Sequence, residues 1–184
     1  MQGNEQLSII IPMLNAVADG IHDDQLDAPT PCTEFSVDGV LDHMTQLGSA
    51  FAPMFLGTQP DAATPAQEGD TSIDAFHRAM DALLVAVQSP GALDRTIETP
   101  AGEMPGAVFA KLVAFDGIVH GWDLATSTGQ AWDPPEALVA ELDTFARGAI
   151  ASDMRSDAGF GPERQPDADA GPIQLLVAFS GRPT

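Results

Sequence analysis

Ala107-Val-Phe-Ala-Lys-Leu-Val-Ala-Phe-Asp116-Gly-Ile-Val-His120-Gly-Trp-Asp123-Leu-Ala125 is the stretch on which the reading of the fold turns. It carries no proline and is apolar nearly all round. A helix of that kind belongs at the centre of a bundle, where every face meets another element. Gly129 follows as a stop signal. On a helical wheel Phe109, Leu112, Val113, Asp116, His120 and Asp123 share one sector of about 100°. The upper part of that stripe is apolar, and the lower part carries two carboxylates and an imidazole. A carboxylate buried there needs a partner. Asp116 and His120 are four apart, so their side chains reach one point in space.

Outward from this helix, the remaining apolar spacings give shorter amphipathic helices. Leu7, Ile10, Ile11, Leu14, Val17 and Ile21 predict a helix over Glu5 to Ile21, kinked or started late by Pro12. Pro29 and Pro31 make Asp27 to Thr33 an extended connection. Ser36 is a good N-cap for a second helix striped by Val37, Val40, Leu41, Met44, Leu47 and Phe51. A third helix starts near Thr71 or Ser72, with Ile73, Phe76, Met80, Leu83, Leu84 and Val87 facing inward. A fifth runs from Pro134 to about Ile150, and a short last one from about Pro172 to Phe179. The composition of Thr58 to Asp70, Ser89 to Gly106 and Arg155 to Gly171 makes them loops, with a short strand at Arg95 to Thr99. The expected architecture is all-α, a four-helix bundle with extra short helices and long loops. Its core should include Leu41, Met44, Leu47, Met80, Leu83, Phe109, Leu112 and Val113.

The chain has 184 residues and no internal repeat, which suits one domain over 1–184. Its 7 basic and 27 acidic residues give a net charge of −20. Such a surface repels phosphate backbones and anionic membranes, so neither nucleic acid nor membrane is an expected partner. A single cysteine, Cys32, excludes an intrachain disulfide or a cysteine cage and fits a reducing cytoplasm. The apolar run Leu7 to Leu14 lacks a basic leader, so no signal peptide is expected. An uncovered bundle face is compatible with a homodimer, but no residue pattern specifies one.

The candidate chemistry centres on His43, Asp116 and His120. His43 lies at the edge of the second helix's apolar stripe. Two imidazoles and a carboxylate are a natural set of divalent-metal ligands. The same residues also admit a plainer reading. Asp116 and His120 can pair with each other, Asp123 can cap a helix or hold an arginine, and a lone core histidine is common. His22 is expected to face water. His77 lies near the stripe of the third helix. Cys32 reads as a small buried residue in a turn, and Trp122 as packing.

Pro29-Thr-Pro-Cys-Thr-Glu-Phe-Ser-Val37, then Leu41-Asp-His43, resembles the opening of bacterial proteins similar to the N-terminal domain of mycothiol-dependent maleylpyruvate isomerase. Asp116-Gly-Ile-Val-His-Gly-Trp-Asp-Leu-Ala125 with Thr128-Gly-Gln130 resembles their second hallmark. The ending, Gly159-Phe-Gly-Pro162 to Leu175-Leu-Val-Ala-Phe-Ser-Gly-Arg182, also fits. The resemblance implies a DinB-like four-helix bundle. It also implies a divalent metal, most commonly zinc, with nickel and manganese as alternatives, held by His43, Asp116 and His120. Where the isomerase has glutamate, this chain has the shorter Asp116. The chain is also too short to hold the isomerase's C-terminal domain, so isomerisation of maleylpyruvate itself is not expected.

The function implied is a metal-dependent transferase or isomerase using a small-molecule thiol such as mycothiol as cosubstrate. Asp123 is expected to support His120 from behind the ligand set. The alternatives are a metal-dependent hydrolase and a non-catalytic helical metal-binding or stress protein. Metal affinity should weaken as pH falls through histidine titration at about 6.5. No residue is assigned a catalytic role from the sequence.

Overall fold

Six α-helices, two short 3-10 turns (Asp23–Gln25 and Ala92–Asp94) and one small hairpin are the elements among the described residues of the computed structural model, which are 1–58, 70–99, 102–150, 155 and 160–184. The helices are α1 (Gly3–Asp19), α2 (Val37–Leu56), α3 (Ser72–Val87), α4 (Gly106–Thr128), α5 (Glu136–Ala149) and α6 (Pro172–Phe179). Strands β1 (Thr96–Thr99) and β2 (Gly102–Pro105) pair antiparallel, with Ile97 opposite Met104. Among the described residues no helix is long and apolar enough to cross a membrane.

The local causes are largely those read from the sequence. Ser36 caps α2, its hydroxyl accepting from Gly39 N at 3.2 Å. Thr71 caps α3 in a reciprocal box with Asp74. Gly129 closes α4 at φ 70°, a left-handed position that suits glycine. The bundle packs α2 on α3 and α1 on α4, with α5 and α6 packed on each other and against α4. In α4 fourteen residues are buried, from Gly106 to Ala125, which fits its place at the centre. The expected all-α bundle is therefore the fold.

Several boundaries and burials differ from the expectation. Helix α1 begins at Gly3 rather than late, and Pro12 lies inside it on the exposed side. The early start is possible because Gly3 lets α1 approach α4: a Cβ there would lie 2.6 Å from the Ala110 Cβ. Helix α2 continues through Pro53 to Leu56 and buries Phe55. Leu47 and Leu112, placed in the core by their spacing, are only partly buried, as are Phe51, Ile73 and Leu84. Helix α5 starts two residues beyond Pro134. The strand at Arg95 to Thr99 is present, but its partner β2 lay in what read as loop. Most of the loop expected over Thr58 to Asp70, and part of the Arg155 to Gly171 loop, lie outside the described residues.

Gly121 shows how tightly α4 is gripped next to the polar stripe. A Cβ built there would overlap ring atoms of Trp132, whose side chain is buried against α4. Gly121→Ala is therefore expected to destabilise the fold by about 1–3 kcal/mol, because a rigid indole must move. Chemical denaturation read by tryptophan fluorescence checks this. An unchanged midpoint would mean that the indole moves freely.

Candidate metal centre

The lower half of α4 turns its polar stripe toward α2. His43, Asp116 and His120 each offer a ligand atom there, and these atoms all lie within 4.8 Å of one another. His120 Nε2 is 3.6 Å from Asp116 Oδ1. Tetrahedral ligands on a zinc with bonds of about 2.0–2.2 Å sit roughly 3.4 Å apart. The Asp116–His120 pair is thus near that spacing already, and the His43 ligand atom lies within 4.8 Å of both. The donor set, two imidazole nitrogens and one carboxylate oxygen, suits zinc and other first-row divalent ions. The three residues brought together are the three expected.

The surroundings prepare those atoms for ligation. Asp123 is fully buried, and its Oδ2 lies 3.0 Å from His120 Nδ1. A carboxylate only accepts, so the shorter contact to Asp123 favours a proton on Nδ1, the tautomer that would leave Nε2, beside Asp116, open to a metal. Phe35 stacks on His43 with ring centroids 5.0 Å apart, and His43 meets His120 edge-on at 5.1 Å. Burial, and then the neighbouring His120 ring, hold His43 below the ordinary histidine range. Its neutral, ligating form therefore persists to lower pH than the value near 6.5 expected from sequence.

Two neighbours of the site escaped the sequence reading. Arg182, on the last turn of the described chain, donates to both oxygens of Asp123, from Nη2 at 3.0 Å and from Nε at 3.3 Å. Phe35 was read only as a letter of the Pro29–Val37 motif, with no role at the site. A cavity of about 430 Å³ also lies on this side of the molecule, lined in part by Cys32, Glu34, Arg164 and Arg182. Cys32 is half-buried in the turn before α2, and burial pushes its thiol pKa up, which fits a structural role rather than a nucleophile.

The other histidines stand apart. His22 is exposed, as expected. His77 on α3 places Nε2 3.5 Å from Asp19 Oδ1 on α1, and it does not join the cluster. His77→Ala should leave metal content unchanged by elemental analysis. A drop would locate a ligand outside the cluster.

Known proteins place this arrangement in context. The family described as the mycothiol maleylpyruvate isomerase N-terminal domain matches residues 10–125, a span that includes all three candidate ligands and Asp123. Two uncharacterized proteins of Mycobacterium tuberculosis, from strains CDC 1551 / Oshkosh and ATCC 25618 / H37Rv, are each 31% identical over 173 residues, covering 91% of this chain and 90% of theirs. A DinB-like protein from Bacillus subtilis, known from a crystal structure, superposes with a TM-score of 0.56 at 16% identity, covering 72% of this chain and 95% of that one. That last likeness is one of fold. With its DinB-like bundle and a match over well over half its length, the chain belongs to the mycothiol maleylpyruvate isomerase N-terminal domain family.

Proposed function

We propose that this protein binds a divalent metal, most readily zinc, through His43, Asp116 and His120, and uses it in a thiol-dependent transfer or isomerisation with mycothiol as cosubstrate. The observation that carries the metal reading is the convergence of these three side chains, with Asp123 setting the tautomer of His120. Three protein ligands leave a position open for an exogenous group. A zinc ion there would favour the thiolate of a bound thiol at neutral pH.

The family name supplies the thiol, and a cavity reaches the outer side of the site through Arg182, the partner of Asp123, although the three ligands do not line it. Its volume suits a small molecule. Its lining mixes guanidinium and carboxylate groups with backbone, which matches the polar body of a sugar-containing thiol better than an apolar ligand. Within the protein, Asp123 accepts the His120 proton, Phe35 stacks on His43 and restrains its ring, and the half-buried Cys32 takes no part.

The test is elemental analysis of purified protein, followed by calorimetric titration of the zinc-loaded form with mycothiol and with glutathione. One metal per chain and tighter binding of mycothiol support the proposal. Metal without any thiol binding favours hydrolysis by a metal-activated water instead. Failure to take up zinc, nickel or manganese in excess overturns the metal reading, and the non-catalytic alternative then leads.

A further inference from the structure

The C-terminal end of the described chain reaches back to the metal centre, and its backbone is built to do so. Helix α6 ends with Gly181 N donating to Ala178 O and Arg182 N donating to Val177 O, both at 3.0 Å. These are the two bonds of a Schellman closure, and Gly181 takes the left-handed position it requires, at φ 94°. A Cβ on Gly181 would also lie 2.8 Å from the Gly161 Cα, so the turn is packed on both sides. The motif fixes where residue 182 leaves the helix. Arg182 is only 4% exposed, an unusual place for one of few basic residues in a chain of net charge −20.

The guanidinium is aimed at Asp123 alone among the described carboxylates within hydrogen-bond reach. It contacts both oxygens from two of its nitrogens, and Nη1 turns to Ser180 O at 3.4 Å. Asp123 in turn faces His120 Nδ1 at 3.0 Å. The planar fork of arginine can hold a carboxylate's plane as well as its charge. An Asp side chain held in that plane presents Oδ2 to His120 in one direction only.

We propose that Arg182 is a positioning residue for the metal centre. By gripping both oxygens of Asp123 it fixes the acceptor that keeps His120 protonated on Nδ1, with Nε2 turned toward Asp116 and His43. The inference rests on the metal reading for its consequence, but the positioning exists in the metal-free protein and is measurable there.

The experiment uses full-length wild type, Arg182→Met and Arg182→Lys. Zinc affinity is read by competition with a chromophoric chelator. The His120 tautomer is read from imidazole nitrogen shifts of the metal-free protein at alkaline pH. Wild type should show one tautomer, with the proton on Nδ1. Arg182→Met should show a mixture and bind zinc about 10–100-fold more weakly, the usual loss when an outer partner of a ligand is removed. Arg182→Lys keeps the charge but not the fork, so it should fold and give an intermediate loss. It decides the question if Arg182→Met does not fold. Wild-type affinity together with a wild-type tautomer in Arg182→Lys, or in a folded Arg182→Met, overturns the proposal. Absence of zinc binding in wild type defeats the metal reading instead, and the tautomer measurement still reports on Arg182.

Discussion

His120→Ala should strip the protein of bound metal while leaving its helical fold in place. Of the three candidate ligands His120 is the most buried and the best prepared. It is 3% exposed, its Nδ1 is committed to Asp123, and its Nε2 lies 3.6 Å from Asp116. Removing a supporting partner of a ligand costs about 10–100-fold in affinity, and removing the ligand itself should exceed that. The fold loses less. Asp123 keeps Arg182, and α4 keeps Phe115, Ile118, Val119 and Leu124 at zero exposure. The cost should stay near the typical 1–3 kcal/mol of a lost buried polar contact, about what a well-packed bundle tolerates. Elemental analysis and circular dichroism on the same sample separate the two effects. Metal retained at the wild-type level would remove His120 from the ligand set, and a helical signal lost with the metal would mean that the metal holds the fold.

The parts of this site that were legible from sequence are those encoded by spacing along one helix. Asp116, His120 and Asp123 share a sector of α4 by arithmetic alone, and the structure brings Asp116 and Asp123 to the two nitrogens of the same ring. His43 was legible as an edge position on α2, but nothing in α2 itself said that its partner would be α4. Arg182 was not legible as a contact. It is 59 positions from Asp123, and only the packing of α6 against α4 brings them together. The reading that Asp123 either supports His120 or holds an arginine posed as alternatives what the structure shows as one chain of contacts. Elsewhere the misses have a common cause. Leu47 and Leu112 sit at core spacing yet are half-covered, because the width of a buried face depends on the neighbouring helix and not on the stripe. Strand β2 contains Gly102 and Pro105 and no apolar alternation, so only its pairing with β1 defines it.

Asp123→Ala should be among the most destabilising substitutions in the molecule. It leaves a guanidinium 4% exposed, with Nη1 still donating to the Ser180 carbonyl at 3.4 Å and Asp123's carboxylate gone. Breaking a buried ion pair by removing one partner costs about 3–5 kcal/mol, mostly because the surviving charge stays out of water. The same reasoning predicts that charge, rather than packing, dominates the loss. The double variant Asp123→Leu/Arg182→Met should recover most of the stability, since two apolar side chains need no partner in that position. His120 then has no acceptor for Nδ1, so the double variant should be stable and yet bind zinc poorly, which separates what the pair does for the fold from what it does for the site. Urea denaturation of wild type, Asp123→Leu, Arg182→Met and the double variant gives the coupling energy directly. Additive losses, with a double variant as unstable as the sum of the singles, would show that the buried pair contributes through packing and that its charges stabilise nothing.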